Sequence, residues 1–304
     1  MHHAYNISII TINYNGLKDT CALLDTIPSD PSMEVIVVDN ASTDDEATII
    51  ADRYPWVKVV RSPENLGFAG GNNLGIQASN GRYLFFINND TEFPKEQSDH
   101  PLEPLVQRLE SDTKTGVVCP KIRFAWGNHP IQFTGYTPLS PVTMRNRSIG
   151  FGEGDDGQYD TPHSTPYAHG AAMMVKREVI EKAGTMPECF FLYYEELDWS
   201  MMIRQAGYDI WYEPRFTVYH KESQATGQDS PLKTYYVTRN RLLFARRNTK
   251  FPVRWLTYLY LMIPVFLRDC LKHTLSHKPD LRRATIRGIS DFLHARYGRR
   301  IKSL

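Results

Sequence analysis

Apolar residues in the first third of the chain fall into short runs separated by polar, helix-spaced segments. Ile7-Ser8-Ile9-Ile10-Thr11-Ile12 is β-branched and reads as a first strand, broken by Asn13-Tyr14-Asn15-Gly16. Leu17, Cys21, Leu24 and Ile27 recur at helical spacing, which predicts a helix over 17–27. Val35-Ile36-Val37-Val38 is a second buried strand. It ends in the polar string Asp39-Asn40-Ala41-Ser42-Thr43-Asp44, a loop and N-cap for a helix at about 44–53. Residues 57–60 form a third strand and 72–79 a helix. Tyr83-Leu84-Phe85-Phe86-Ile87 is the fourth strand, followed at once by Asn88-Asn89-Asp90-Thr91-Glu92. Strands alternating with helices predict a parallel sheet of βαβ units.

From 94 to 168 the periodicity loosens. A helix at about 102–111 and a strand at 116–119 interrupt it, and residues 124–166 are rich in Gly, Pro, Thr and Asp. Such a stretch reads as a functional excursion, here acceptor-side loops. Residues 169–176 predict a strand and Arg177 opens a helix. The aromatic run 190–194 precedes Glu195-Glu196-Leu197-Asp198-Trp199, a helix start that runs to Gln205 and stops at Gly207. Residues 210–212 and 217–219 read as two further strands, the second leading into His220-Lys221-Glu222-Ser223. A helix begins near Tyr235. Residues 255–267 carry no charge, but about 20 apolar residues are needed to span a bilayer, and Pro264 interrupts the run.

Composition narrows the class. A 304-residue chain that is 41% hydrophobic and 23% charged fits a soluble globular enzyme, with one large domain or one domain and an appendage. Cys21, Cys119, Cys189 and Cys270 are dispersed, which argues against a disulfide framework or a zinc site and fits a reducing compartment. Residues 1–6 lack a basic segment followed by an apolar run, so no secretory signal is expected. The net charge of +1 conceals a balance of −12 over residues 1–234 and +13 over 235–304. A basic tail on an acidic body faces a polyanion, membrane phosphates or nucleic acid. No recognised nucleic-acid module is present. The aromatic, apolar run with basic residues after it suits a helix lying in a membrane interface, or one packed on the core or in a homodimer. The expected division is a body over 1–230 and a basic, amphipathic helical extension over 231–304.

Several polar clusters then carry candidate chemistry. The carboxyl ends of strands are where open α/β sheets bind ligands. Asp90, flanked by Asn88 and Asn89, is suited there to a hard divalent cation and a sugar hydroxyl, and the cation in turn to a diphosphate. The plainer alternative is a polar turn. Asp39 either accepts from a base imide or ribose hydroxyl or caps its own loop. Asn65-Leu66-Gly67-Phe68-Ala69-Gly70-Gly71-Asn72-Asn73 brings backbone N–H groups close to a phosphate or sugar, or simply makes a tight turn. It is neither a Walker A loop nor a Gly-x-Gly-x-x-Gly turn. Three acids in one first helical turn complement the helix dipole, or supply a general base behind an aromatic wall that raises its basicity. His220 is structural, or offers imidazole to a metal or a proton to a phosphate.

Taken together, these pieces resemble the family 2 glycosyltransferases, inverting enzymes of the GT-A fold, and within them the rhamnosyltransferase-like branch. The resemblance rests on Ile9-Ile10-Thr11-Ile12-Asn13-Tyr14-Asn15, Val37 to Asp44, Asn65 to Asn73, Asn88-Asn89-Asp90-Thr91, Gly170-Ala171, Glu195 to Trp199 and His220-Lys221, in order over residues 7–227. It implies an α/β, GT-A type fold: a mostly parallel nucleotide-binding sheet flanked by helices, with a C-terminal helical extension. It implies that Thr11, Asn13 and Asp39 surround the base and ribose of a UDP- or dTDP-sugar, with Asn40, Gly70, Gly71, Asn73, Asn88 and Asn89 completing the donor site. Asp90 would be the acid of a DxD-type motif that holds Mg²⁺ or Mn²⁺, helped by His220. Glu196 stands where the family has the Asp of a Glu-Asp pair, the base that deprotonates the acceptor. Two departures stand out: Asn88 replaces the first acid of the DxD motif, and Glu196 reaches one methylene further than Asp, which leaves Asp198 as a rival base.

The implied activity is inverting transfer, with dTDP-rhamnose among the donors, to a hydroxyl of a glycan or polyprenyl-linked glycan acceptor in cell-surface polysaccharide synthesis. The implied location is cytoplasmic, peripheral on the inner face of the membrane. A nucleotidyltransferase is the nearest rival, but it would carry a basic phosphate loop near the first strand, and Asn13 to Gly16 has no Arg or Lys. Asn88 and Glu196 keep a non-catalytic, membrane-associated glycan-binding protein open as a further alternative.

Overall fold

In the computed structural model, which describes residues 6–95, 100–222 and 230–300, the β-branched and aromatic runs join one ten-stranded sheet. Its first half consists of β1 (Ile7–Asn13), β2 (Met33–Asp39), β3 (Val57–Arg61) and β4 (Tyr83–Ile87). These four are parallel, in the spatial order β3-β2-β1-β4. The crossovers are α1 (Leu17–Leu24), α2 (Glu46–Arg53) and α3 (Gly67–Ala78). β1, β2 and β4 are buried on both faces and read as continuous apolar runs, which makes them legible in the sequence. After β5 (Thr91–Glu92) and α4 (Glu103–Glu110) come β6 (Thr115–Phe124), β7 (Ile131–Phe133), β8 (His163–Ser164), β9 (Ala172–Lys176), α5 (Arg177–Ala183), α6 (Glu195–Gln205) and β10 (Asp209–His220).

The sheet is not parallel throughout. β9 runs antiparallel between β4 and β6, and β10 is parallel to β6. Two reversals restore direction, so β1 to β4, β6 and β10 all end on the same rim. The two strands expected at 210–212 and 217–219 are one, β10, with a register shift between Glu213 and Thr217 where Pro214 cannot donate to the ladder. β9 starts at Ala172, not at His169. Residues 1–5, on which the absence of a signal was read, and Ser223 lie outside the described residues.

The glycine-rich stretch is also more helical than its composition suggests. α3 begins at Gly67, five residues before the expected start. Gly67 adopts φ 72°, and a Cβ there would lie 2.2 Å from the Phe191 carbonyl oxygen. Gly71 and Gly75, one turn apart, face the sheet. A Cβ on Gly71 would sit 2.8 Å from Ile12 Cδ1 and one on Gly75 2.4 Å from Ile10 Cγ2. Glycine is disfavoured inside helices, but here it lets α3 lie directly on β1.

The C-terminal part is α7 (Pro231–Asn248), α8 (Val253–Tyr260), a π-helical turn (Leu261–Val265) containing Pro264, α9 (Phe266–Leu275) and α10 (Pro279–Leu293). α7 starts cleanly, with Ser230 Oγ accepting from the Lys233 N–H and Pro231 at the first helical position. Leu242, Leu243, Phe244, Leu261, Val265 and Phe292 form a second core that also takes in Met144 and Phe190 from the body. Among the described residues no helix is long and apolar enough to cross a membrane.

The close seating of α3 gives a direct test. Gly75→Val should lower stability by about 1–3 kcal/mol, because its side chain would overpack against Ile10 and Val38. Urea denaturation measures this, and unchanged stability would contradict the packing.

Candidate active site

The polar ends of β1, β2 and β4 are wired together. Asn13 and Asp39 stand opposite each other in the parallel ladder, and Asn13 Nδ2 donates to Asp39 Oδ1 at 3.0 Å. The same amide nitrogen reaches Glu46 Oε2 at 2.7 Å and Ser42 Oγ at 3.1 Å. Asn13 Oδ1 accepts from Thr20 Oγ1, which in turn accepts from Asn89 Nδ2. Thr20 therefore couples Asn89 at the end of β4 to Asn13 at the end of β1. Asn40 fixes the entry to α3: its amide donates to Asn65 Oδ1 and the Gly67 carbonyl and accepts from the Leu66 N–H. Beside this network opens a cavity of about 470 Å³, lined among others by Tyr14, Asn40, Phe68, Asn88, Asn89, Asp90 and Phe191. Tyr14 is 48% exposed and offers an aromatic face at its edge.

Asp90 and His220 are both buried, with Nε2 of His220 3.2 Å from Asp90 Oδ1. They come together because β5, immediately after Asp90, pairs with the end of β10: Thr91 is opposite His220. His220 Nδ1 lies 2.8 Å from Gln132 Oε1, an acceptor that holds a ring proton on Nδ1 and leaves Nε2 facing Asp90. With Nε2 deprotonated, the imidazole and the carboxylate oxygen form a pair that can share a cation, and an acceptor behind the other ring nitrogen orients such a histidine. Among the described residues no group of three or more His, Cys, Asp or Glu could hold a metal. A hard divalent ion here would take its other ligands from water and phosphate oxygens. His169 sits nearby, with Nδ1 accepting from the Ala171 N–H at 3.1 Å. Burial, and then the charge of His220, push its imidazole down to about 3, so His169 stays neutral.

The third component is the start of α6. Trp199 packs edge-on against Phe86 of β4, with ring centroids 5.6 Å apart, and donates Nε1–H to the Gly184 carbonyl. Glu196, three residues earlier, lies on the same helix face one turn nearer the rim. A Cβ on Gly170 would be 3.6 Å from Glu196 Cγ and 3.8 Å from the Phe68 ring, so Glu196 and the cavity wall meet across this glycine. Burial pushes the Glu196 carboxyl up from its ordinary value. Burial raises Glu195 further, with the charge of Glu196 adding to it, and Glu195 Oε2 has no hydrogen-bond partner.

The remaining expected site residues lie deeper. Asp198, the rival base, is 1% exposed and turned to α7: both its oxygens accept from Arg247, and Oδ1 also accepts from Asn248 Nδ2 at 2.6 Å. Gly70 and Gly71 lie inside α3, where close packing accounts for both. Asn73 spends its amide on the Met186 backbone and Glu188, tying α3 to the segment before α6. Thr11 is fully buried in β1 with Oγ1 unpartnered.

Residues that the sequence reading did not select also shape the site. Glu46, Thr20, Gln132 and His169 resemble ordinary loop or helix residues in sequence, and only the register of the sheet brings them in. Arg239 and Asn240 of α7 have a different task. The segment before α6 holds Phe191, Tyr193 and Tyr194 at φ 68°, 68° and 78°. Asn240 Nδ2 donates to the carbonyls of Phe190, Leu192 and Tyr193, and Arg239 Nη2 adds a bond to Phe190 O. The Phe191 carbonyl, in turn, accepts from the Phe68 N–H at the head of α3.

The chain is similar to several known proteins. The hexosyltransferase Agl10 of low-salt glycan biosynthesis in Haloferax volcanii is 28% identical over 243 residues, covering 78% of this chain and 75% of that protein. The N-acetylglucosaminyl-diphospho-decaprenol L-rhamnosyltransferase of Mycobacterium tuberculosis is 23% identical over 262 residues, covering 76% of this chain and 81% of that enzyme. Among solved structures, GalNAc-T7 with UDP, GalNAc and Mn²⁺ superposes with a TM-score of 0.59 at 16% identity. That match covers 92% of this chain but only 59% of the other. It concerns the fold alone, and the fold is the GT-A type expected from the sequence. Residues 8–184 match the model of the family described as glycosyl transferase family 2. Matched over more than half its length, the chain belongs to glycosyl transferase family 2.

Proposed function

We propose that the protein transfers a sugar from a UDP- or dTDP-sugar, dTDP-rhamnose among them, to a hydroxyl of a glycan or polyprenyl-linked glycan acceptor, with inversion. The observation that carries this reading is the cavity with Asn88 to Asp90 on one wall and Phe68 and Phe191 on another, Phe68 and Glu196 both lying against Gly170. The relatives support it in kind: one is a hexosyltransferase of glycan biosynthesis, one a rhamnosyltransferase named for a decaprenol-linked substrate. In this reading residues 1–230 carry the transfer chemistry and 231–304 brace and anchor it. A polyprenyl-linked acceptor puts the protein in the cytoplasm, peripheral on the inner face of the membrane.

The donor's base and ribose lie by Tyr14, Asn13 and Asp39. Asp39 accepts a hydrogen bond from the nucleoside, and Asn13, pinned by Thr20, fixes the carboxylate's orientation. Asp90 and His220 would hold Mg²⁺ or Mn²⁺, with the remaining ligands from water and phosphate; GalNAc-T7 was solved with Mn²⁺. When bound, the cation offsets the negative charge that develops on the departing diphosphate. Glu196 accepts the proton of the acceptor hydroxyl as its oxygen attacks the anomeric carbon and the bond to the diphosphate breaks. One displacement inverts that centre. Burial makes the Glu196 carboxylate more basic than an ordinary one, which favours proton abstraction. Asp198, neutralised by Arg247, serves as a strut that holds α6 to α7.

Glu196→Gln should lower kcat by about 10²- to 10⁴-fold while donor binding, followed by calorimetry, stays close to that of the unaltered protein. Near-normal turnover would remove Glu196 as the base. The raised carboxyl pKa has a definite sign: the base form is lost on acidification earlier than for an ordinary glutamate. The acid limb of kcat should therefore lie above the usual glutamate range near 4.5. A limb at or below that value would contradict the assignment. Asp90→Asn should abolish the Mn²⁺-dependent thermal stabilisation produced by UDP- or dTDP-sugars. If the variant shows the same Mn²⁺-dependent shift, the cation does not bind at Asp90.

A further inference from the structure

Every fourth residue from Phe251 to Leu275 is apolar and 52–80% exposed: Phe251, Trp255, Leu259, Ile263, Leu267, Leu271 and Leu275. With Leu256, this stretch holds half of the large apolar side chains that are exposed among the described residues. At about 100° per residue, each four-residue step overshoots a full turn by about 40°, which would wind such a row around an α-helix. The wider turn at Leu261–Val265 takes up part of this overshoot, so the row winds less than it would on a regular α-helix. α9 buries no side chain fully, and its Leu267, Leu271 and Leu275 are left exposed by the fold. The rod from Val253 to Leu275 is about 35 Å long at 1.5 Å per residue.

Basic side chains border the row. Arg254 stands beside Trp255, and Arg268 and Lys272 follow Leu267 and Leu271. Lys250 lies at one end, and Lys278 and Arg282 at the other. The acids between 250 and 283 are Asp269, paired with Arg268, and Asp280, paired with Arg283. Two copies of this face brought together would set like charges against each other, whereas an anionic surface would neutralise them. Trp, Leu and Ile on one side and Lys and Arg beside them make up the composition of a helix that lies in a bilayer interface.

We infer that the α8–α9 rod is a docking surface for a lipid bilayer bearing anionic headgroups, lying in the plane of the interface with the Phe251 to Leu275 row immersed. The surface goes beyond the transfer chemistry and does not depend on it. It would hold the chain where a polyprenyl-linked acceptor resides.

The test is sedimentation of the full chain with vesicles of phosphatidylcholine containing phosphatidylglycerol, and with phosphatidylcholine alone. The unaltered protein should sediment with the anionic vesicles and bind at least about tenfold more weakly to neutral ones or at high salt. Leu267→Glu/Leu271→Glu should lose vesicle binding by at least about tenfold, with the same melting temperature, since neither residue is buried. Equal binding by the variant, or no binding of the unaltered chain to anionic vesicles, would overturn the inference. So would light scattering that shows a dimer in solution which the variant breaks, because a second copy would then cover the row.

Discussion

The carboxamide of Asn240 and the guanidinium of Arg239 hold the segment on which the candidate active site depends. Phe191, Tyr193 and Tyr194 lie in left-handed conformations that cost a non-glycine residue about 1–3 kcal/mol each. Such a turn persists only when its surroundings over-determine it. Asn240 and Arg239 satisfy the carbonyls of Phe190, Leu192 and Tyr193, which would otherwise face a partly buried interior unpaired. Three consequences follow. The turn delivers Glu196 to the first turn of α6, lends Phe191 and Leu192 to the cavity wall, and gives the head of α3 an acceptor for the Phe68 N–H.

The same helix grips α6 a second time through Arg247 and Asn248 on Asp198. α7 thus acts as part of the transferase body despite its position in the basic tail. The opposite wall is set by the sheet. Parallel register puts Asn13 against Asp39, and the short β5 pairing brings His220 to Asp90. Asp90, His220 and the first turn of α6 come to one side of the sheet because six strands end on one rim while α7 fixes the helix that faces them.

Much of this was legible in the sequence, and for a physical reason. The strands β1, β2 and β4 are buried on both faces and write themselves as unbroken apolar runs, each ending in the polar residues that form the rim. Gly67 to Gly75 was harder, because glycine normally argues against a helix, and only the closeness of Ile10 and Ile12 shows why it is needed here. The split of β10 into two came from Pro214, which breaks the ladder but not the strand. Asp198 looked interchangeable with Glu196 because its partner, Arg247, is 49 residues away in sequence. Likewise, nothing local marks Gln132 as the support of His220 or Asn240 as the holder of a turn. Those pairings exist only once the chain is folded.

The most direct test of this dependence is the turnover number of Asn240→Ala, measured on protein whose melting remains cooperative. Loss of the three carbonyl bonds should let the turn relax and displace Glu196, and a misplacement of about 1 Å is enough to cost on the order of 10²-fold in rate. The kcat should therefore fall by about that factor in a chain that is still folded. Full turnover in a folded Asn240→Ala protein would show that α7 does not position the base.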